Sequence, residues 1–164
     1  MHYFLDWILV ILTLMYAGVL IAYRYWFDKL TYFDFKPDQN GPTFTRFSIV
    51  VPARNEEANI KNCLDSLIAQ SYPTDFFEVI VIDDFSEDNT ASIVEAIHQK
   101  HSHIKLLKLA NYYKADEIRS YKKKAIEKAV SQANGDWIIT TDADCIAPED
   151  WLKLYHQYIL AHRP

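Results

Sequence analysis

Four strand-length apolar runs, with apolar residues at helical spacing between them, leave this chain few ways to fold. The runs are 47–51, 77–82, 104–109 and 137–141, rich in β-branched and aromatic residues. Between them Ile60, Leu64, Leu67 and Ile68 recur at the period of a helix. So do Ile93, Val94 and Ile97, and then Ala125, Ile126, Ala129, Val130 and Ala133. Pro52 is expected to stop the first strand, Tyr72-Pro73 to end the first of these helices, and residues 86–90 to form a turn and cap. Asn134-Gly135 is expected to close the third helix through a left-handed glycine. A further helix starts near residues 148–151. Strands that alternate with helices pair in parallel through right-handed crossovers. The expected fold class is therefore α/β, a mostly parallel sheet of Rossmann-like type.

The segment before this pattern has a different character. Residues 7–23, WILVILTLMYAGVLIAY, carry no charge and are bracketed by Asp6 and Arg24. That is the short end of the roughly 17–25 residues a bilayer-spanning helix needs. Tyr3, Phe4 and Trp7 at one end, and Tyr23, Tyr25 and Trp26 at the other, resemble interfacial aromatic belts. A cleaved leader wants a basic start and a small-residue cleavage site, and a core helix wants a polar stripe; the segment shows neither. It reads as one uncleaved transmembrane anchor over 1–30. Arg24, Lys29 and Lys36 follow it and no basic residue precedes it, which predicts a cytoplasmic location for what comes after, at the cell membrane. Residues 31–45, with Pro37, Gly41 and Pro42, read as a linker, and 46–164 as the soluble domain.

Charge and cysteine content narrow the function. With 17 Lys+Arg against 22 Asp+Glu the net charge is -5, the wrong sign for a nucleic-acid binder. Cys63 and Cys145 are far apart in sequence and lack metal-ligand spacing, which suggests a reducing compartment without a disulfide framework.

Ligands of parallel α/β sheets gather at the carboxyl ends of the strands. Three such ends carry polar clusters here: 52–57 (PARNEE), Asp83-Asp84, and Asp142-Ala143-Asp144. If 142–144 continue the extended run before them, the two carboxylates share a face about 6–7 Å apart. A pair of acids there is costly unless a cation neutralises it. A hard divalent metal bearing nucleotide phosphates does so, since Mg²⁺ is commonly held by one or two carboxylates plus substrate phosphates. Helix N-capping is the competing account for Asn55, Glu57 and Ser86. It explains poorly three clusters on one sheet edge, and a nucleotide site explains them better.

Taken together, 51–56 (VPARNE), 82–90 (IDDFSEDNT) and 135–145 (GDWIITTDADC) resemble the inverting family 2 glycosyltransferases of the GT-A fold, in order and spacing, from Phe47 to about Leu152. The resemblance implies a membrane-anchored enzyme that transfers a sugar from a nucleotide-diphospho-sugar, a UDP-sugar by default, to a glycan or lipid acceptor. It implies that Pro52, Ala53, Arg54 and Glu56 line the donor pocket, and that Asp84, with Asp83, bonds the base. It places Asp142 against the sugar nucleotide and has Asp144, with Asp142, ligate Mg²⁺ or Mn²⁺. Lys122 falls where that family often has a lysine opening a helix, with Tyr121 in place of the usual glycine. A solvated helix face accounts for Lys122 equally well.

The same resemblance implies that family members continue beyond residue 164 into an acceptor half that supplies the general base, and no residue here is assigned that role. The chain thus reads as the donor-binding half of such an enzyme. The rival readings are an inactive, membrane-tethered nucleotide-sugar binder and, less well supported, a nucleotidyltransferase. The latter usually needs a glycine-rich phosphate loop, and 52–57 contain no glycine.

Overall fold

The computed structural model describes residues 2–30, 43–113 and 121–162, with backbone alone for His2, Tyr121 and Lys122. It separates into two compact units, Met1–Phe35 and Lys36–Pro164.

Among its described residues the first unit holds the helix α1 (His2–Phe27). Its span Tyr3–Phe27 has 25 residues with a mean hydropathy of 2.3. At about 1.5 Å per residue that exceeds the roughly 30 Å of bilayer hydrocarbon. The helix outruns the uncharged stretch because its flank is held by local contacts. Arg24 pairs with Asp28 one turn on at 3.0 Å, and the Lys29 ammonium lies 4.2 Å from the centre of the Tyr25 ring.

The second unit is a sheet wrapped by helices. Its strands are β1 (Phe47–Ala53), β2 (Phe77–Asp83), β3 (Ile104–Lys108) and β4 (Trp137–Thr140), in the order β3-β2-β1-β4. All three pairings are parallel, with Phe47 opposite both Phe77 and Trp137. Helices α2 (Ile60–Ile68), α3 (Thr90–His98) and α5 (Trp151–His162) pack with Phe47, Ile49 and Val51 on one face. Helix α4 (Tyr121–Val130) covers Val50, Ile80 and Ile82 on the other through Ala125 and Ala129. Strands β1 and β2 are covered on both sides, so they read as unbroken apolar runs rather than alternating ones. The chain winds outward through β1, β2 and β3, then crosses back to place β4 on the far side of β1. That is the expected α/β class with a parallel sheet.

Three boundaries differ from expectation, each for a tertiary reason. Pro52 does not stop β1. The Val50 carbonyl accepts from Thr141 and that of Ala53 from Asp84, so even-numbered residues of β1 turn their backbone toward β4. The β4 ladder ends at Val50–Thr140, and the missing N–H of Pro52 therefore falls where no partner stands. Helix α2 ends at Ile68 rather than at Tyr72-Pro73. Gln70 and Ser71 are drawn to the start of α5, where the Gln70 amide donates to the Pro148 carbonyl at 2.6 Å and accepts from the Leu152 N–H. Strand β3 yields to a 3-10 turn at Leu109, whose side chain is fully buried.

Gly135 is the main correction. Helix α4 ends at Val130, and Gly135 is not in the left-handed region. It is glycine because the chain passes so close to β1 that a Cβ would stand 2.5 Å from the Ser48 nitrogen. Its N–H donates to the Ser48 hydroxyl at 2.8 Å, which donates to Glu78 at 2.6 Å. Lys105 pairs with the other Glu78 oxygen at 2.6 Å, and the Asn134 N–H donates to the first. One carboxylate thus ties the entry to β4 to the three other strands.

Burial alone would raise the Glu78 pKa. The bonds from Lys105, Ser48 and Asn134 outweigh it and hold the carboxyl at about 2. A depressed pKa means this stability is complete above the unfolded value and is lost as pH falls through the folded one. The protein should therefore lose roughly 1–3 kcal/mol between about pH 4.5 and 2, discounted for the half-exposed Lys105. Glu78→Gln should remove that part of the slope when thermal midpoints are followed against pH.

Candidate functional site

Because β2, β1 and β4 lie side by side and point the same way, their carboxyl ends form one ledge. A cleft of about 240 Å³ opens there. Pro52 and Ala53 line it from the end of β1, Arg54 and Glu56 from the loop after it, Asp84 from the chain leaving β2, and Asp142, Ala143 and Asp144 from the chain leaving β4. It sits at the crevice between β1 and β4 where the strand order reverses, the position at which open α/β sheets bind ligands. A neighbouring cavity of about 240 Å³ shares Pro52 and Asp142 and reaches Ile126 of α4. Seven of the nine predicted residues thus meet in one cleft. The Lys122 side chain lies outside the described residues.

Asp83 is the other exception. It continues the alternation of Phe77, Val79 and Val81 toward the α2 and α3 side, level with Ala53 and Lys108, and does not line the cleft. Asp84 is one residue past the strand, fixed by its N–H on the Ala53 carbonyl at 2.9 Å, and it does line it. Both are buried, and each leaves one carboxylate oxygen without a hydrogen-bond partner. Burial pushes the Asp84 carboxyl above its ordinary range; the Arg54 guanidinium pulls it back and Asp83 pushes it up again. An unmet buried acceptor costs about 1–3 kcal/mol, so Asp84 is complementary to an incoming N–H donor.

Asp142-Ala143-Asp144 is not extended as its spacing predicts. Strand β4 ends at Thr140 and the acids lie on a turn closed by the Cys145 N–H on the Asp142 carbonyl at 3.2 Å. The carboxylates still face one cleft because Ala143 between them is buried in the core. Ala143 is a site residue the sequence reading missed; its only signal is the small residue inside the acid pair. The Cys63 thiol of α2 reaches the same Asp142 carbonyl at 3.8 Å. Burial, then Cys145, Asp144 and Glu56, push its pKa to about 11, so a neutral thiol underlies the turn.

The capping account of Asn55, Glu57 and Ser86 fails. These residues join the loop after β1 to the loop after β2. Asn55 donates its N–H to the Ser86 hydroxyl at 3.0 Å and accepts from the Glu87 N–H at 2.8 Å. Glu57 accepts from the N–H and side-chain amide of Asn89. Asp88 accepts from the Glu57 N–H with one oxygen and from Thr90 with the other, and the Thr90 hydroxyl accepts from the Glu56 N–H. Asn55 and Phe85 are in the left-handed region, at φ 55° and 54°. Asparagine enters that region more readily than most residues, whereas a bulky Phe there is strained.

Glu56, Asp84, Asp142 and Asp144 against Arg54 give the cleft a negative balance, which repels phosphate unless a cation intervenes. No cluster of three or more metal-binding side chains occurs among the described residues. Two hard carboxylates on an exposed turn fit a Mg²⁺- or Mn²⁺-type ion that takes its remaining oxygens from phosphates and water.

Fold and ledge together define a parallel α/β domain with an acid-lined cleft at its strand ends. The Glycosyl transferase family 2 model matches residues 48–164. The probable glycosyltransferase YdaM of Bacillus subtilis is 32% identical over 106 residues, which make up 65% of this chain and 24% of that protein. The crystal structure of Staphylococcus aureus TarS residues 1–349 with UDP-GlcNAc superposes with a TM-score of 0.60 at 30% identity, over 71% of this chain and 32% of that one. The mannosyltransferase PcManGT of Pyrobaculum calidifontis, in complex with GDP-Man and Mn²⁺, superposes with a TM-score of 0.72 at 29% identity, over 94% and 43%. The chain belongs to glycosyltransferase family 2. It spans about a fifth to a third of the length of the curated relatives it matches.

Proposed function

We propose that the cleft binds the nucleotide-diphospho part of a sugar donor and that the protein transfers the sugar to a lipid-linked or polysaccharide acceptor at the membrane. The buried, unpartnered oxygen of Asp84 carries this reading. Uracil, thymine and guanine each offer a ring N–H to such an acceptor. Pro52, Ala53 and Arg54 then flank the nucleoside, and Asp142 and Asp144 hold a divalent cation against the diphosphate. When bound, that cation stabilises the charge that grows on the leaving nucleoside diphosphate. The core anchor at Ala143 holds the turn that carries both carboxylates along the cleft. Neighbours in complex with UDP-GlcNAc and with GDP-Man and Mn²⁺ support the donor class and the metal. The apolar span Tyr3–Phe27, with Arg24 in its last turn and Lys29 just beyond, supports an anchor that leaves the domain on the cytoplasmic side.

Calorimetric titration of the full chain in lipid nanodiscs with UDP, GDP and dTDP, each with Mn²⁺ and again with EDTA, tests the reading. One nucleotide is expected to bind in the presence of Mn²⁺ and to be lost with EDTA. A folded protein that binds none of them overturns it.

A further inference from the structure

The hydrogen bonds between the two loops join parts of the cleft that would otherwise move independently. Arg54 and Glu56 reach the cleft from the loop after β1, and Asp84 opens the loop after β2. The loops are continuous with their strands on one side only. Past Ala53 no strand ladder ties them together, and the last backbone bond between the two segments is Asp84 N–H to the Ala53 carbonyl. Beyond that point side chains take over. Asn55 holds Ser86 and Glu87, Glu57 holds Asn89, and Asp88 holds Glu57 and Thr90.

We infer that Asp88 and Asn55 are positioning residues for the donor: they fix Arg54 and Glu56 relative to Asp84 before any nucleotide arrives. This rests on the donor reading of the cleft. Asp88 is the centre of the arrangement because both its oxygens are in use and every partner is a donor. Asn55 adds a backbone commitment. Its left-handed φ turns the chain between Arg54 and Glu56, and its side-chain oxygen secures that turn on the facing loop. Neither residue lines the cleft, so neither is expected to touch the ligand. Holding the loops in the bound geometry removes an ordering cost that binding would otherwise bear. Asparagine at position 88 keeps the shape but replaces one acceptor with a donor, so it must lose the Glu57 or the Thr90 bonds.

The test uses the full chain in nanodiscs, comparing wild type, Asp88→Asn and Asn55→Ala. UDP and GDP are titrated with Mn²⁺, and hydrogen exchange of the 54–57 amides is followed with and without the better-bound nucleotide. Asp88→Asn should raise its Kd about tenfold. The Glu56 and Glu57 amides should exchange faster without nucleotide and regain wild-type protection at saturation, while β1 and β2 amides stay unchanged. Asn55→Ala, the milder change, should shift both readouts the same way. Wild-type affinity in both variants overturns the inference. So does loss of protection throughout β1 and β2, which would make the weaker binding a consequence of general destabilisation. A wild-type chain that binds neither nucleotide overturns the donor reading and this inference with it, an outcome distinct from wild-type binding that the variants retain.

Discussion

Gly135→Ala is expected to destabilise the sheet unit by about 3 kcal/mol or more. The added Cβ would stand 2.5 Å from the Ser48 nitrogen and 2.6 Å from the Phe47 carbonyl carbon. Both are backbone atoms of a central strand, so no side-chain rotation relieves the contact. Relief requires moving β4 away from β1, which breaks the Gly135–Ser48 bond and disturbs the ties of Glu78 to Ser48 and Asn134. Gly18→Ala is the matched control, since nothing lies within 4 Å of its added carbon. Thermal unfolding followed by circular dichroism should show a large drop for the first variant and almost none for the second. Equal midpoints would mean that the close approach of the 134–135 segment to β1 is wrong.

Asp144→Asn is expected to lower metal-dependent nucleotide affinity by about a hundredfold or more while leaving folding nearly intact. Even residues that only support a metal ligand cost about 10–100-fold in affinity when changed, so a ligand should cost at least as much. The Asp144 carboxylate is exposed and accepts a 3.6 Å contact from the Cys145 thiol. Asparagine preserves the shape and removes the charge. The same calorimetric titration with Mn²⁺, beside a thermal melt, separates the two effects. Parallel loss of binding and stability would assign Asp144 to the fold instead of to the metal.

How far the sequence could be read depended on how local each signal was. The runs near Ile49, Val81 and Leu106 and the stripe Ile60-Leu64-Leu67 were legible because burial on a strand or helix repeats at a fixed short period. The acid pairs were legible because charge at the end of an apolar run has few structural uses. Asp83 and Asp84 were not separable in advance. Their difference turns on whether the strand ends before or after one residue, which the pairing with Ala53 decides. Asn55, Glu57 and Ser86 have the composition of helix caps, yet the donors they meet lie some thirty positions away in sequence.

The sequence by itself determined the element types, the alternation that forces a parallel sheet, the apolar span at the start, and the acids grouped at three strand ends. Tertiary structure alone decided the order β3-β2-β1-β4, and with it which ends became neighbours. It also decided that Gly135 serves a close approach and not a helix cap, and that Pro52 can sit inside a strand. The physical reason is the same throughout. Periodicity and charge reside in single segments, whereas a free volume, a missing partner or a facing donor exists only once two distant segments have been packed together.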